Sequence, residues 1–268
     1  MPVRQGLQAA IDGPVRRGWK GVAPHLPDGV AARMSASARS GLGRVGLRRT
    51  DRGRTHRVGH LSVTPVWPGV AEDLDDRLRG QVFEHLLGPG QGRSLVDLGA
   101  GPCHFARRAA DLGWRVTAVD GRTERLPADL DGIDFVQADV REFDTTGFDT
   151  VVCLGLLYHL EAEEQEALLR GSNHARMILE TQVHTPDYVP PAAEPWGRRI
   201  VNVAGYDGVV FPEGNNPMAS IGNSTSLWVT EESLLAMVER SGFARADLVE
   251  PAHHSKYGTR RFLVLDGS

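Results

Sequence analysis

Three aspartates and two glycines carry the first chemical signal in this chain of 268 residues. In Ser94-Leu95-Val96-Asp97-Leu98-Gly99-Ala100-Gly101-Pro102-Cys103, a short apolar run ends in an acid and a glycine-rich turn. Gly99 and Gly101 allow positive φ and leave no Cβ in the way of a ligand. A helical pattern follows, and its free N–H groups and positive dipole end point back at the turn. Such a corner binds a nucleotide-like ligand at the carboxyl end of a parallel strand. Asp120 closes the next apolar run, about twenty residues after the turn, where a carboxylate can accept both hydroxyls of a ribose. Asp139 closes a third run. His159 follows Tyr158 after the fourth, and Glu180 and His184 stand at the end of the fifth. An imidazole titrates near neutrality and suits removal of a proton from a hydroxyl. Glu180 and His184 are alternative bases or substrate contacts. Each residue also has a plainer reading: Asp120 or Asp139 as a turn residue, His159 as a shaper of its loop.

Two cofactor classes use such a corner. A dinucleotide site wants G-x-G-x-x-G, and the third glycine position holds His104. Asp97, just before the first glycine, suits a cationic amino group better than a pyrophosphate. The stretch resembles motif I of class I S-adenosylmethionine-dependent methyltransferases, acid-x-Gly-x-Gly-x-Gly, with Cys103 in place of the last glycine. The resemblance implies S-adenosylmethionine as cofactor. It places Asp139, or the backbone of its neighbour Val140, on the adenine amino group. Phe148 to Leu160 looks like motif IV in its metabolite-type version, which sets Leu154 and Tyr158 beside the methyl donor. Asn/Asp-Pro-Pro-Tyr and a strand-end Pro-Cys pair, used for base methylation, are absent. Cys153 lies inside its run and reads as packed. Tyr158-His159, Leu179-Glu180-Thr181 and Asn223 to Trp228 give a weaker similarity to the bacterial tRNA wobble-uridine carboxymethyltransferase group. That group holds a carboxylated cofactor with basic residues ahead of motif I, including lysines. Lys20 is the only lysine ahead of motif I here, so ordinary methyl transfer is the reading.

The elements that must position these residues alternate as in a doubly wound sheet. Leu74, Leu78, Val82 and Leu86 line one face of a helix over Glu72–Leu87, which Gly88-Pro89 closes. Strands are expected at Ser94–Leu98, Arg115–Val119, Asp134–Gln137, Thr150–Leu154 and Met177–Gln182. Helices are expected at Cys103–Leu112, Thr123–Leu130 and Glu161–Arg170. Thr185 to Leu227 shows no regular pattern, and its aromatic content predicts a packed lid, 185–228, that sets the acceptor. Thr230 caps a helix to Arg240, and strands at Ala246–Val249 and Arg261–Leu265 follow, the last inserted antiparallel. The fold class expected is α/β: a Rossmann-like seven-stranded class I methyltransferase sheet with helices on both faces. Residues 70–268 form that domain, behind a basic N-terminal extension, 1–69. Within the extension, a helix is expected around Gly29–Arg39, an arm over Arg44–Arg57 and an extended segment over His56–Trp67.

Bulk properties limit the functions. No apolar run approaches the ~18 residues that cross a membrane, and no signal peptide is visible, so the expected location is cytoplasmic. Cys103 and Cys153 are the only cysteines, which leaves no disulfide framework and no zinc cluster; no metal site is expected. Residues 1–60 hold 12 basic and 3 acidic side chains, a net of +9, and the rest of the chain carries −13. Such an arm docks on nucleic acid, on its own acidic domain or on a second copy in a homodimer. The favoured function is O-methylation of a small-molecule acceptor. RNA methylation through the basic arm ranks second, and a cofactor-binding protein without catalysis third.

Overall fold

The structure, a computed structural model, describes residues 54–66, 76–185, 199–214, 221–255 and 257–267, and of residues 76–78 the backbone. The expected helix around Gly29–Arg39 lies outside the described residues. So do most of the arm and parts of the lid.

Among the described residues, ten strands form one sheet. Five run parallel in the order β5 (Ile133–Gln137), β4 (Arg115–Asp120), β3 (Ser94–Leu98), β6 (Thr150–Leu154) and β7 (Arg176–Val183). Beyond β7 comes β13 (Gly258–Gly267), antiparallel to both its neighbours, and then β11 (Phe243–Val249). These seven are the expected sheet. Three further strands extend it. β2 (Leu61–Val66) runs parallel to β11, β1 (His56–Val58) hairpins onto β2, and β12 (His253–Ser255) pairs with β13. The sheet thus takes in residues 56–66, which the sequence reading set in the extension. The reason is burial: Leu61, Val63 and Val66 alternate inward and are 0 %, 0 % and 5 % exposed. Pro65 fits because β1 pairs only as far as Val63, so the β1–β2 ladder does not call on the N–H that proline lacks.

Side chains of opposite parity on the strands feed two cores. Val96, Leu98, Val151, Cys153, Met177 and Leu179 pack against α3 (Ala162–Ser172) and α4 (Glu231–Arg240). Leu95, Val116, Ala118, Val152 and Ile178 face α1 (Asp76–Leu87) and α2 (His104–Asp111). α3 opens with a capping box between Glu161 and Glu164, and the Thr230 hydroxyl caps α4 by accepting from Ser233 N–H. The expected helix over Thr123–Leu130 does not form. Pro127 has no N–H and pushes Leu126 away from helical dihedrals, so only a turn closes, with Leu126 N–H on Thr123 C=O.

The lid segment holds more regular structure than its sequence suggests. β8 (Val201–Val203), β9 (Tyr206–Pro212) and β10 (Thr225–Val229) make a separate antiparallel sheet. Tyr206 is fully buried beneath it, its hydroxyl donating to Glu166 of α3 at 2.6 Å. Where the insertion leaves and rejoins the domain, His184 N–H donates to Val229 C=O at 2.8 Å and His184 bridges Thr230.

Candidate active site

A cavity of about 1220 Å³ opens at the carboxyl ends of the parallel strands. Asp97, Gly99, Gly101, Asp120, Asp139, Val140, Leu154, Tyr158 and His159 all line it. The turn after β3 is bare by necessity. Gly99 has φ +71 and Gly101 φ +50, and a Cβ on Gly99 would meet Leu156 at 3.0 Å. Cys103 caps α2 with φ 57, which explains why glycine is usual at that place. Its thiol is buried, which pushes its pKa up and leaves it a packed side chain.

Asp97 is 3 % exposed, and its Oδ2 has no hydrogen-bond partner among the described residues. Burial pushes its pKa up to about 7, against a backbone hydrogen bond from Ala106, and the charge of Asp120 adds to the rise. A buried, orphaned carboxylate oxygen on a cavity wall is what a cationic amino group would complete. Asp120 links two loops: Oδ2 accepts from Gly101 N–H and Oδ1 from Arg122 N–H, both at 2.8 Å. Asp139 is held by the guanidinium of Arg141, which keeps its carboxyl below the usual range. Arg141 also reaches Glu164 of α3 at 2.8 Å, Asn223 at 3.1 Å and the Ile221 carbonyl at 3.1 Å. Of the two adenine contacts expected, Asp139 is thus committed to Arg141. The sequence reading missed Arg141, although its place two residues after Asp139 was the available signal. Ile221 reaches over the loop after β4, where a Cβ on Gly121 would meet its Cδ1 at 2.2 Å.

On the other side of the cavity, beyond β6, stand Tyr158 and His159, in a single 3-10 turn, Leu157–His159. His159 Nδ1 lies 2.8 Å from Oε1 of Glu213, which is buried and also accepts from the Ser226 hydroxyl at 2.7 Å. A buried carboxylate on Nδ1 favours the form of the ring that carries a proton on that nitrogen. Glu213 comes from the lid, between β9 and β10, where no periodicity marks it. The other two base candidates are placed differently. Glu180 is fully buried, bonded to Arg79 at 2.8 Å and to Arg260 at 2.8 and 3.1 Å. Burial works to raise its pKa, but the two guanidiniums outweigh that and lower it. It anchors α1 and β13 to β7 and is not on the cavity wall. His184 clamps the root of the insertion, away from the cavity lining, and burial lowers its pKa. The Tyr158 hydroxyl meets Arg260 at 3.2 Å. Cys153 is fully buried and its pKa is raised by burial, which makes it core. Among the described residues no cluster of three His, Cys, Asp or Glu side chains is placed to hold a metal, and no helix is long and apolar enough to cross a membrane.

Residues 95–175 match the family model described as "Methyltransferase domain". No curated protein matches the chain in sequence. Among solved structures, the N-terminal domain of EvdMO1, crystallised with SAH and D-fucose, is 23 % identical, with 74 % of this chain and 84 % of that one covered and a TM-score of 0.54. The same domain with SAH bound gives 24 % identity, 75 % and 84 % coverage and a TM-score of 0.54. A Burkholderia thailandensis 1,6-didemethyltoxoflavin-N1-methyltransferase is 18 % identical, with 72 % and 78 % covered and a TM-score of 0.48. The fold is that of the class I S-adenosylmethionine-dependent methyltransferases. The matched residues 95–175 run from β3 through α3 to the residue before β7.

Proposed function

We propose that this methyltransferase moves the methyl group of S-adenosylmethionine to an oxygen of a small-molecule acceptor, a secondary metabolite or a sugar-like compound. The observation that carries the reading is His159, paired with the buried Glu213, on the wall of the same cavity as the glycine turn. When bound, the cofactor supplies an electrophilic methyl on a sulfonium, which needs no acid to leave. The residues present suit it: Asp97 Oδ2 for the amino group, the bare Gly99–Gly101 turn for close approach, and Asp120 for the ribose. The chain's own chemistry is then proton removal and positioning. His159 accepts the proton of the acceptor hydroxyl as its oxygen bonds to carbon, and Glu213, paired with Nδ1, orients the ring. The neighbour crystallised with SAH and D-fucose is in keeping with a sugar-like acceptor.

The lid segment 185–228 is the acceptor-selecting part of this reading. RNA methylation rests on the basic residues 1–60, of which only 54–60 are described. No observation at the cavity favours it. The test is labelled methyl transfer from S-adenosylmethionine to a panel of hydroxylated small molecules and to tRNA. His159→Ala is expected to lower kcat by roughly 10²–10⁴-fold with SAH affinity kept, and Glu213→Gln to fall between. Transfer to tRNA alone, or full turnover in His159→Ala, would refute it.

A further inference from the structure

The cavity divides along the sheet. Asp97, Asp120 and Asp139 end β3, β4 and β5, or follow directly, and mark the donor side. The other side is walled by β7, β10 and β13, and its lining includes Gln182, Trp228 and Arg260. Two polar atoms of that wall are buried with no hydrogen-bond partner among the described residues: Gln182 Nε2 and Trp228 Nε1. Gln182 is 2 % exposed. Buried N–H groups are almost always paired, so two orphaned donors on residues of one cavity wall point to ligand acceptors that pair them. Gly258 keeps the wall open: a Cβ there would lie 3.0 Å from Gln182 Nε2 and 3.4 Å from Trp228 Cζ3. Phe211 stacks on Trp228 with centroids 4.6 Å apart, and Tyr158 meets Trp228 edge to face at 5.7 Å, so the indole is fixed in place.

The wall's orphans are donors. The Glu180 carboxylate nearby is engaged by Arg79 and Arg260 and is not part of the cavity lining. A polyol presents O–H groups that need acceptors; a carbonyl or carboxylate oxygen needs only donors. We infer that Gln182 and Trp228 form a recognition subsite for a carbonyl or carboxylate oxygen of the acceptor, carried beside the hydroxyl that is methylated. The inference rests on the methyl-transfer reading for the word acceptor. The subsite itself stands on the two orphaned donors.

Two sources share this chemistry, an aromatic hydroxy acid and a sugar acid. The test is binding to the full-length, SAH-loaded chain, read by saturation-transfer NMR and calorimetry, with 3-hydroxybenzoate and D-glucuronate as probes. 3-Hydroxybenzyl alcohol and D-glucose are their partners without the carboxylate. At least one acid is expected to bind at least tenfold tighter than its alcohol partner, and which one does separates the two sources. Gln182→Leu and Trp228→Phe, each near its original shape without the N–H, should weaken that acid tenfold or more and leave SAH affinity unchanged. Equal affinity for acids and alcohols, binding of no acid, or indifference to both substitutions would overturn the subsite. Failure of the native chain to bind SAH would instead strike the methyl-transfer reading, since neither substituted residue lies on the donor side.

Discussion

Asp97 joins a buried position to a ligand-facing atom, and its titration exposes both. Its carboxyl is pushed up to about 7 by burial, from the 3.8 of an unfolded chain. The native state therefore keeps its proton where the unfolded state has lost it. Stability is full below about 4, falls as pH rises toward about 7, and is flat above, by as much as about 4 kcal/mol. Thermal melts across pH 4–8 should show this fall in the native chain and a flatter profile in Asp97→Asn. An ammonium ligand prefers the ionised carboxylate, so SAH affinity should rise with pH up to about 7 in the native chain and less in Asp97→Asn. Identical profiles would remove Asp97 from both roles. At this scale the sequence was legible where a residue type has one strong reason for its place. The strand-end acids and the glycine turn are such cases. Glu180 was not, because a carboxylate at a strand end looks the same whether it faces a cavity or two arginines. Glu213 carried no local mark, since its partners are 54 and 13 residues away in sequence.

Between elements, Arg141 ties together the loop after β5, the first turn of α3 and the approach to β10. The guanidinium is 28 % exposed, so its ion pairs are partly screened. Arg141→Ala should cost about 1 kcal/mol in urea unfolding. A larger effect belongs to local opening: amide hydrogen exchange at residues 221–229 should quicken several-fold while β3 and β6 are unaffected. Unchanged exchange there would show that Asn223 and Ile221 are held by other contacts. The elements most legible in the sequence were those with one dominant signal. The buried strands are continuous apolar runs between turns, and α4 opens on Thr230 and two acids. β8, β9 and β10 were not legible, because Tyr206 to Pro212 mixes buried and exposed positions without strict alternation. Their pairing is with each other, so their order comes from contacts that no short window displays.

For the molecule as a whole, the sheet begins earlier than the aspartate–glycine landmarks suggest. A chain starting at residue 67 loses β1 and β2 and bares the outer edge of β11. It also removes Leu61, Val63 and Val66 from the core, on the order of 5 kcal/mol of burial. Its melting temperature should lie roughly 10–20 °C below that of a chain starting at residue 54. Equal melting of the two would mean that β2 adds nothing to the sheet. The insertion, in contrast, has two roots that meet: His184 and Val229 share a hydrogen bond although 45 residues apart. The backbone enters and leaves through one pinch point, so the scaffold's wiring does not depend on what lies between. Such a cassette can be exchanged for another of different length at little cost in chain entropy. Because the cassette also brings Glu213 to His159, a graft would exchange, on the proposed reading, the acceptor and the partner of the base in one step.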